Sequence, residues 1–180
     1  MEITIKRGKR EDLIKAWDVI TVRSYQWMKT DWRFKHVWPG RFKDTPTTEV
    51  DNFCTIAYDG ERPIGVFGMS LTTRGNKYRL LGKQIASDPE YRGLGVGQAL
   101  IIENEKYVKD TYDKADVSEY VITCLDTTSG IFKHKWGLDP FKAGKANHDD
   151  ISFGDKFLVP LYRDGFDEQY EKVMNKIKEA

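Results

Sequence analysis

The stretch Ile85-Ala86-Ser87-Asp88-Pro89-Glu90-Tyr91-Arg92-Gly93-Leu94-Gly95-Val96-Gly97-Gln98-Ala99-Leu100 constrains this 180-residue chain more than any other part. A short β-prone run stops at Pro89, a turn follows with glycine at every second position, and then a helical pattern begins. Gly93, Gly95 and Gly97 carry no Cβ, so successive backbone N–H groups can converge on an anion at the positive end of the following helix. Arg92 adds a fixed charge beside them. The residues read as a phosphate cradle; a tight strand-to-helix turn holding no ligand is the plainer alternative.

Spacing separates the kinds of glycine-rich turn. A Walker loop needs Lys-Ser or Lys-Thr after its last glycine, and here Gln98 and Ala99 follow. The dinucleotide fingerprint needs a third glycine where Gln98 or Leu100 stands, so neither register works. What fits is Arg-x-x-Gly-x-Gly, spelled by Arg92, Gly95 and Gly97, after Asp-Pro-Glu-Tyr and before a helix. This resembles the acetyl-CoA pyrophosphate loop of the GNAT superfamily of N-acetyltransferases. The resemblance implies an α+β fold with a mixed, mostly antiparallel central sheet flanked by helices. It also implies acetyl-CoA as acyl-donor cosubstrate, and transfer of its acetyl group to a primary amine of a small molecule or protein. A GNAT-fold binding or assembly protein that keeps the loop without turnover is the alternative.

Length and composition are compatible with that. The chain suits one core. Its 29 basic and 28 acidic residues nearly cancel, so no broad electrostatic footprint for nucleic acid or anionic membrane is expected. Cys54 and Cys124 are too few for a disulfide framework and lack the paired spacing of a zinc site. We therefore expect no metal. No apolar run approaches membrane-spanning length, and the first residues lack the features of a signal peptide, so a cytoplasmic location is expected.

In chain order, Glu2 to Lys6 alternates as a first strand that Gly8 can end, and Leu13, Trp17 and Ile20 mark a helix from about Arg10. Asn52 to Tyr58 and Pro63 to Thr72 read as a hairpin through Asp59-Gly60-Glu61-Arg62, with a bulge near Val66 and Phe67. After the turn Arg74-Gly75-Asn76-Lys77, Tyr78 to Ser87 is the strand that delivers the glycine loop. The helix from Val96 to about Tyr112 buries Val96, Ala99, Leu100, Tyr107 and Val108; Glu103 and Asn104 interrupt that stripe. Tyr120 to Leu125 is a further strand, followed by a short helix with Ile131, Phe132 and Trp136 that ends at Gly137. Phe141 to Ala146 and Lys156 to Leu161 can form a last antiparallel pair with Pro160 at an edge. Residues 1–162 make the acyltransferase-like domain. Residues 163–180 add an amphipathic helix, with Phe166, Tyr170, Val173, Met174 and Ile177 on one face, that packs on the domain or on a second copy in a homodimer.

Within the resemblance, the strand before the loop pairs with the pantetheine arm through the backbone of Ile85, Ala86 and Ser87. The amides from Gly93 through Leu94, Gly95, Val96 and Gly97 to Gln98 hold the pyrophosphate, assisted by Arg92. Family members often place a glutamate base on the fourth strand, but Tyr78-Arg79-Leu80-Leu81-Gly82-Lys83-Gln84 contains no carboxylate or histidine. The family pattern Asn-x-x-Ala-x-x-x-Tyr-x-x-x-Gly-Phe, set on Gly137-Leu138, places Asp126, Ser129 and Lys133 at its asparagine, alanine and tyrosine. The catalytic candidates are therefore Lys133 as proton donor, Asp126 and Tyr78; for Lys133, a basic helix start meeting CoA phosphates or a solvated charged face are the alternatives. Between Tyr25 and Phe42, Trp27, Trp32 and Trp38 interleave with basic residues and are candidates for an acceptor wall, or caps of the core.

Overall fold

The computed structural model describes residues 2–9, 11–17, 19, 20, 49–124, 131–138 and 155–180. Among these described residues six strands form one sheet in the order β1-β2-β3-β4-β5-β6: β1 is Ile3–Lys9, β2 Glu49–Asp59, β3 Arg62–Arg74, β4 Lys77–Ser87, β5 Val117–Cys124 and β6 Asp155–Leu158. Only β4 and β5 run parallel; every other neighbouring pair is antiparallel. This is the mixed, mostly antiparallel α+β architecture expected.

Helical residues 11–17 and 19–20 (α1) carry Leu13, Ala16, Trp17 and Ile20 onto one face of the sheet, against Cys54, Ile56, Val66 and Ala86. On the opposite face lies the larger core, where the helix Val96–Thr111 (α2) presses Val96, Ala99, Leu100 and Ile101 onto Ala57, Ile64, Phe67 and Leu71. Each large apolar side chain removed from water there contributes roughly 1.5–3 kcal/mol. Burial on two faces sets α1 and α2 on opposite sides of the strand that delivers the glycine loop.

The C-terminal helix Phe166–Lys178 (α3) docks on its own chain, against α2 and β1, with Phe166 and Ile177 buried. Its exposed side bears most of its charges, as its apolar spacing requires.

The structure corrects several boundaries. Gly8 does not end β1; it pairs with Cys54, and the strand runs to Lys9. The Lys9 N–H is then taken by the Asp12 carboxylate at 2.9 Å, so a helix cap stops the strand. The bulge expected near Val66 and Phe67 is displaced to both sides. One irregularity skips Ile64 opposite Ala57 and Tyr58, and the other skips Lys83 opposite Gly68 and Met69. Five residues, Ile131–Lys135, form a single π-helical turn that excludes Trp136. Phe132 in that turn is buried and its ring lies 5.2 Å from that of Phe157. For the last antiparallel pair, β6 pairs with β5 (Val121↔Leu158 to Cys124↔Asp155), while residues 141–146 lie outside the described residues. Pro160 follows β6 and is exposed.

Glu103 and Asn104 do not break the buried face of α2; with Glu105 they are part of it. Asn104 Nδ2 donates to the Phe67 carbonyl at 3.0 Å. Glu103 accepts from Arg7 Nε and from the Tyr170 hydroxyl, both at 2.6 Å. Buried polar groups persist where they find such partners.

Candidate functional site

Two registers define an opening in the sheet. The β4–β5 pairing stops at Gly82↔Ile122, whereas the β3–β4 pairing continues to Gly65↔Ser87. The extra residue in β4, Lys83, falls just where β5 is lost. A bulge bends its strand and increases the local twist, which swings β4 away from its parallel neighbour. Gln84, Ile85 and Ala86 therefore keep their β3 partners and have none on β5.

The open strand runs into the glycine loop through a built corner. The Asp88 N–H donates to the Ile64 carbonyl at 2.7 Å, and its carboxylate accepts from the Glu90 N–H at 3.0 Å, starting the 3₁₀ turn Pro89–Tyr91. Arg62, from the β2–β3 hairpin, ion-pairs with buried Asp88 and lies 5.7 Å from the centre of the Tyr91 ring. The Tyr91 hydroxyl donates to Asp59 at 2.7 Å, which raises the phenol's pKa above its ordinary value. Asp88 and Glu90 are thus turn residues, held by a hairpin from the neighbouring strands.

Beyond this corner, Gly93 and Gly95 take φ values of +82° and +96°, a region that side chains with a Cβ rarely enter. Gly95 is the N-cap of α2, among the described residues no side chain caps that end, and no acidic residue stands in its first turn. The N–H groups of Val96, Gly97 and Gln98 have no partner within a helix that begins there. An uncapped helix start with Arg92 exposed beside it suits a phosphate ester.

The candidates from Ile85 to Gln98 follow one another along the open strand edge, the corner and the start of α2. Ile85 packs toward the larger core and Ala86 toward α1, so the open edge is seated on both faces. Leu94 is partly buried against the larger core. Tyr78 is elsewhere: it lies among the first residues of β4, at the end remote from the loop, where its N–H donates to the Asp116 carbonyl at 2.7 Å and its ring meets that of Tyr112 at 5.5 Å. Lys133 sits half-buried on the π-helical turn beyond β5. Asp126, Trp27, Trp32 and Trp38 lie outside the described residues.

Sequence reading missed the brace made by Arg62 and Asp59, because those residues look like ordinary hairpin-turn charges until Asp88 and Tyr91 are brought against them. It also missed the C-terminal helix as a neighbour of the loop. A Cβ placed on Gly95 would lie 3.5 Å from Lys176 Cδ and 3.9 Å from Ile177 Cδ1. Among the described residues no group of His, Cys, Asp and Glu could hold a metal ion, and no helix is long and apolar enough to cross a membrane.

The sequence model of the acetyltransferase (GNAT) family matches residues 18–122, more than half of the chain. Among solved structures, a GNAT-family acetyltransferase from Staphylococcus aureus Mu50 is similar at a TM-score of 0.61 and 14% identity, over 87% of this chain and 97% of that one. The PaiA N-acetyltransferase of Thermoplasma acidophilum, solved with coenzyme A, is similar at a TM-score of 0.53 and 20% identity, over 88% and 98%. An aminoglycoside acetyltransferase from an uncultured soil metagenomic sample gives 0.54 and 12%, over 81% and 93%. At these identities the likeness is one of fold. No curated protein sequence matches the chain.

Proposed function

This chain belongs to the acetyltransferase (GNAT) family, and from that premise we propose that it transfers the acetyl group of acetyl-CoA to a primary amine of a small molecule or protein. The observation that carries the reading is the parting of β4 from β5 after Gly82, directly upstream of an uncapped α2 whose N-cap is Gly95. An open strand edge suits an amide-bearing arm, and the uncapped amides suit the pyrophosphate at its end. Acetyl-CoA, when bound, supplies a thioester that a neutral amine can attack directly, so the protein's tasks are to hold the carrier, admit the amine and move one proton.

In this reading the amides of Val96, Gly97 and Gln98, with Arg92, bind the pyrophosphate, and the backbone of Ile85 to Ser87 aligns the arm. Lys133 is the candidate proton donor to the departing thiolate. The strand segment Tyr78 to Gln84 offers no carboxylate, which leaves Asp126 or a water to take the proton from the amine, with Tyr78 a weaker candidate at the far end of β4. Trp27, Trp32 and Trp38 are proposed to wall the acceptor. A small amine would agree with the acceptor class named for the aminoglycoside-acetylating neighbour.

The test is calorimetric titration of the full chain with acetyl-CoA beside a Gly95→Glu variant, followed by a thiol-release assay over a panel of amines. We expect binding by the unsubstituted chain, its loss in the variant, and thiol release with at least one amine. Binding without release for any amine would instead favour the binding-module alternative. Absence of binding would overturn the acyl-carrier reading.

A further inference from the structure

Three contacts run in opposite senses along α2 and α3. The Lys109 ammonium lies 3.9 Å from the centre of the Phe166 ring, the Tyr170 hydroxyl reaches Glu103 at 2.6 Å, and Lys176 and Ile177 reach Gly95. The helices are therefore antiparallel, and the last turn of α3 rests on the first turn of α2. A Cβ on Gly95 would stand 3.5 Å from Lys176 Cδ and 3.7 Å from its Cε. The lysine stem thus lies along the N-cap of α2, with the ammonium one bond beyond Cε. Lys176 is exposed, and among the described residues no carboxylate pairs with it.

We propose that Lys176, carried in by the C-terminal helix, is a second cation, beside Arg92, for the diphosphate held at the start of α2. The inference rests on the acyl-carrier reading given above and adds to it a residue from outside the strand, loop and helix that form the cradle. The lysine is placed at the N-cap rather than farther out along the loop. It therefore addresses the diphosphate, which the same amides hold, and not the more remote phosphate on the ribose. A lysine in the last turn of a helix also complements that helix's own carbonyl end, but Lys178 stands in the same turn and can do so alone. The consequence is that residues 163–180 are part of the binding site, and that ligand binding and docking of α3 support one another.

The experiment is calorimetric titration of the full chain with CoA and with 3′-dephospho-CoA, comparing Lys176→Met, which keeps the stem and removes the charge, with Lys178→Met and Gly95→Glu. An exposed, charge-assisted contact predicts that Lys176→Met weakens both ligands equally, by about 3- to 10-fold, while Lys178→Met changes neither. Melting temperatures of the two lysine variants should match that of the unsubstituted chain. If the unsubstituted chain binds and Lys176→Met binds equally well, the lysine's role is overturned and the acyl-carrier reading stands. A loss confined to the 3′-phosphorylated ligand would overturn the assignment to the diphosphate. No binding of either ligand by the unsubstituted chain would sink the acyl-carrier reading and this inference with it.

Discussion

Glu105 and Arg163 meet at 2.8 Å, the carboxylate wholly buried in the face of α2 and the guanidinium arriving from the segment between β6 and α3. Arg163 is held in turn by Gln169, by the Pro160 carbonyl and by the faces of Trp136 and Phe166, whose ring centres lie 5.0 and 5.1 Å away. This ties Trp136 just beyond the π-helical turn, the segment after β6 and α3 to one carboxylate. Among the described residues its second oxygen, Oε1, has no hydrogen-bond partner.

Burial pushes the Glu105 carboxyl up to about 7 from its ordinary 4.5, with Arg163 pulling the other way. The native state then binds more protons than the unfolded state between those values. The stability contributed by neutral Glu105 is present in full below about pH 4.5 and is lost as pH rises through about 7. Glu105→Gln keeps an acceptor for Arg163 and cannot ionise. We expect it to remove a pH-dependent contribution of at most roughly 3 kcal/mol and to be as stable as the unsubstituted chain, or more so, at pH 8. Urea midpoints at pH 5, 6, 7 and 8 check this; parallel curves for the two proteins would contradict it.

Gly65→Ala should lift the first turn of α2 from the sheet. The added Cβ would stand 2.8 Å from Val96 Cγ1 and 3.1 Å from Leu100 Cδ1, inside ordinary contact distance. Overpacking of this kind costs about 1–3 kcal/mol. Because Val96 begins the helix at the glycine loop, acetyl-CoA affinity should fall together with the urea midpoint, and an affinity that stays unchanged would show the loop to be decoupled from β3.

Gly93→Ala isolates backbone strain from crowding. Among the described residues nothing lies within 4 Å of a Cβ at that position, and φ is +82°. The left-handed conformation alone should therefore cost about 1–2 kcal/mol. Thermal melting measures the loss. A variant as stable as the parent would mean that the loop relaxes to another conformation, which a reduced affinity for acetyl-CoA would reveal.

Tyr170→Phe removes the hydroxyl that donates to buried Glu103. A hydrogen bond to a charged, mostly buried acceptor contributes about 1.5–3 kcal/mol. Hydrogen exchange should report the loss first in α3, since Arg7 still holds Glu103 from the side of β1. Unchanged protection throughout α3 would show that its docking rests on Phe166 and Ile177 alone.

The glycine loop, both hairpins, α2 and the amphipathic face of α3 were legible because each is written in neighbouring residues. Proline stops, two-residue turns, missing Cβ atoms and helical spacing act over a few positions. Glu103 and Glu105 show where such reading ends. Their partners are 96 and 67 positions away for Glu103 and 58 away for Glu105. From α2 alone they look like a solvated interruption of an apolar stripe. The same limit hid the brace of Arg62 on Asp88, 26 positions apart.

By itself, the sequence determined the local machinery, a strand, a turn that only glycine tolerates and a helix start with free amides, and with it the family resemblance. Tertiary structure alone decided that β4 leaves β5 after Gly82, that α3 docks on its own chain antiparallel to α2, and that Lys176 therefore stands at the loop. The physical reason is that backbone conformation and periodicity are short-range properties of the chain. The partner of a strand edge, a buried charge or an amphipathic face is chosen by burial and pairing among segments far apart in sequence.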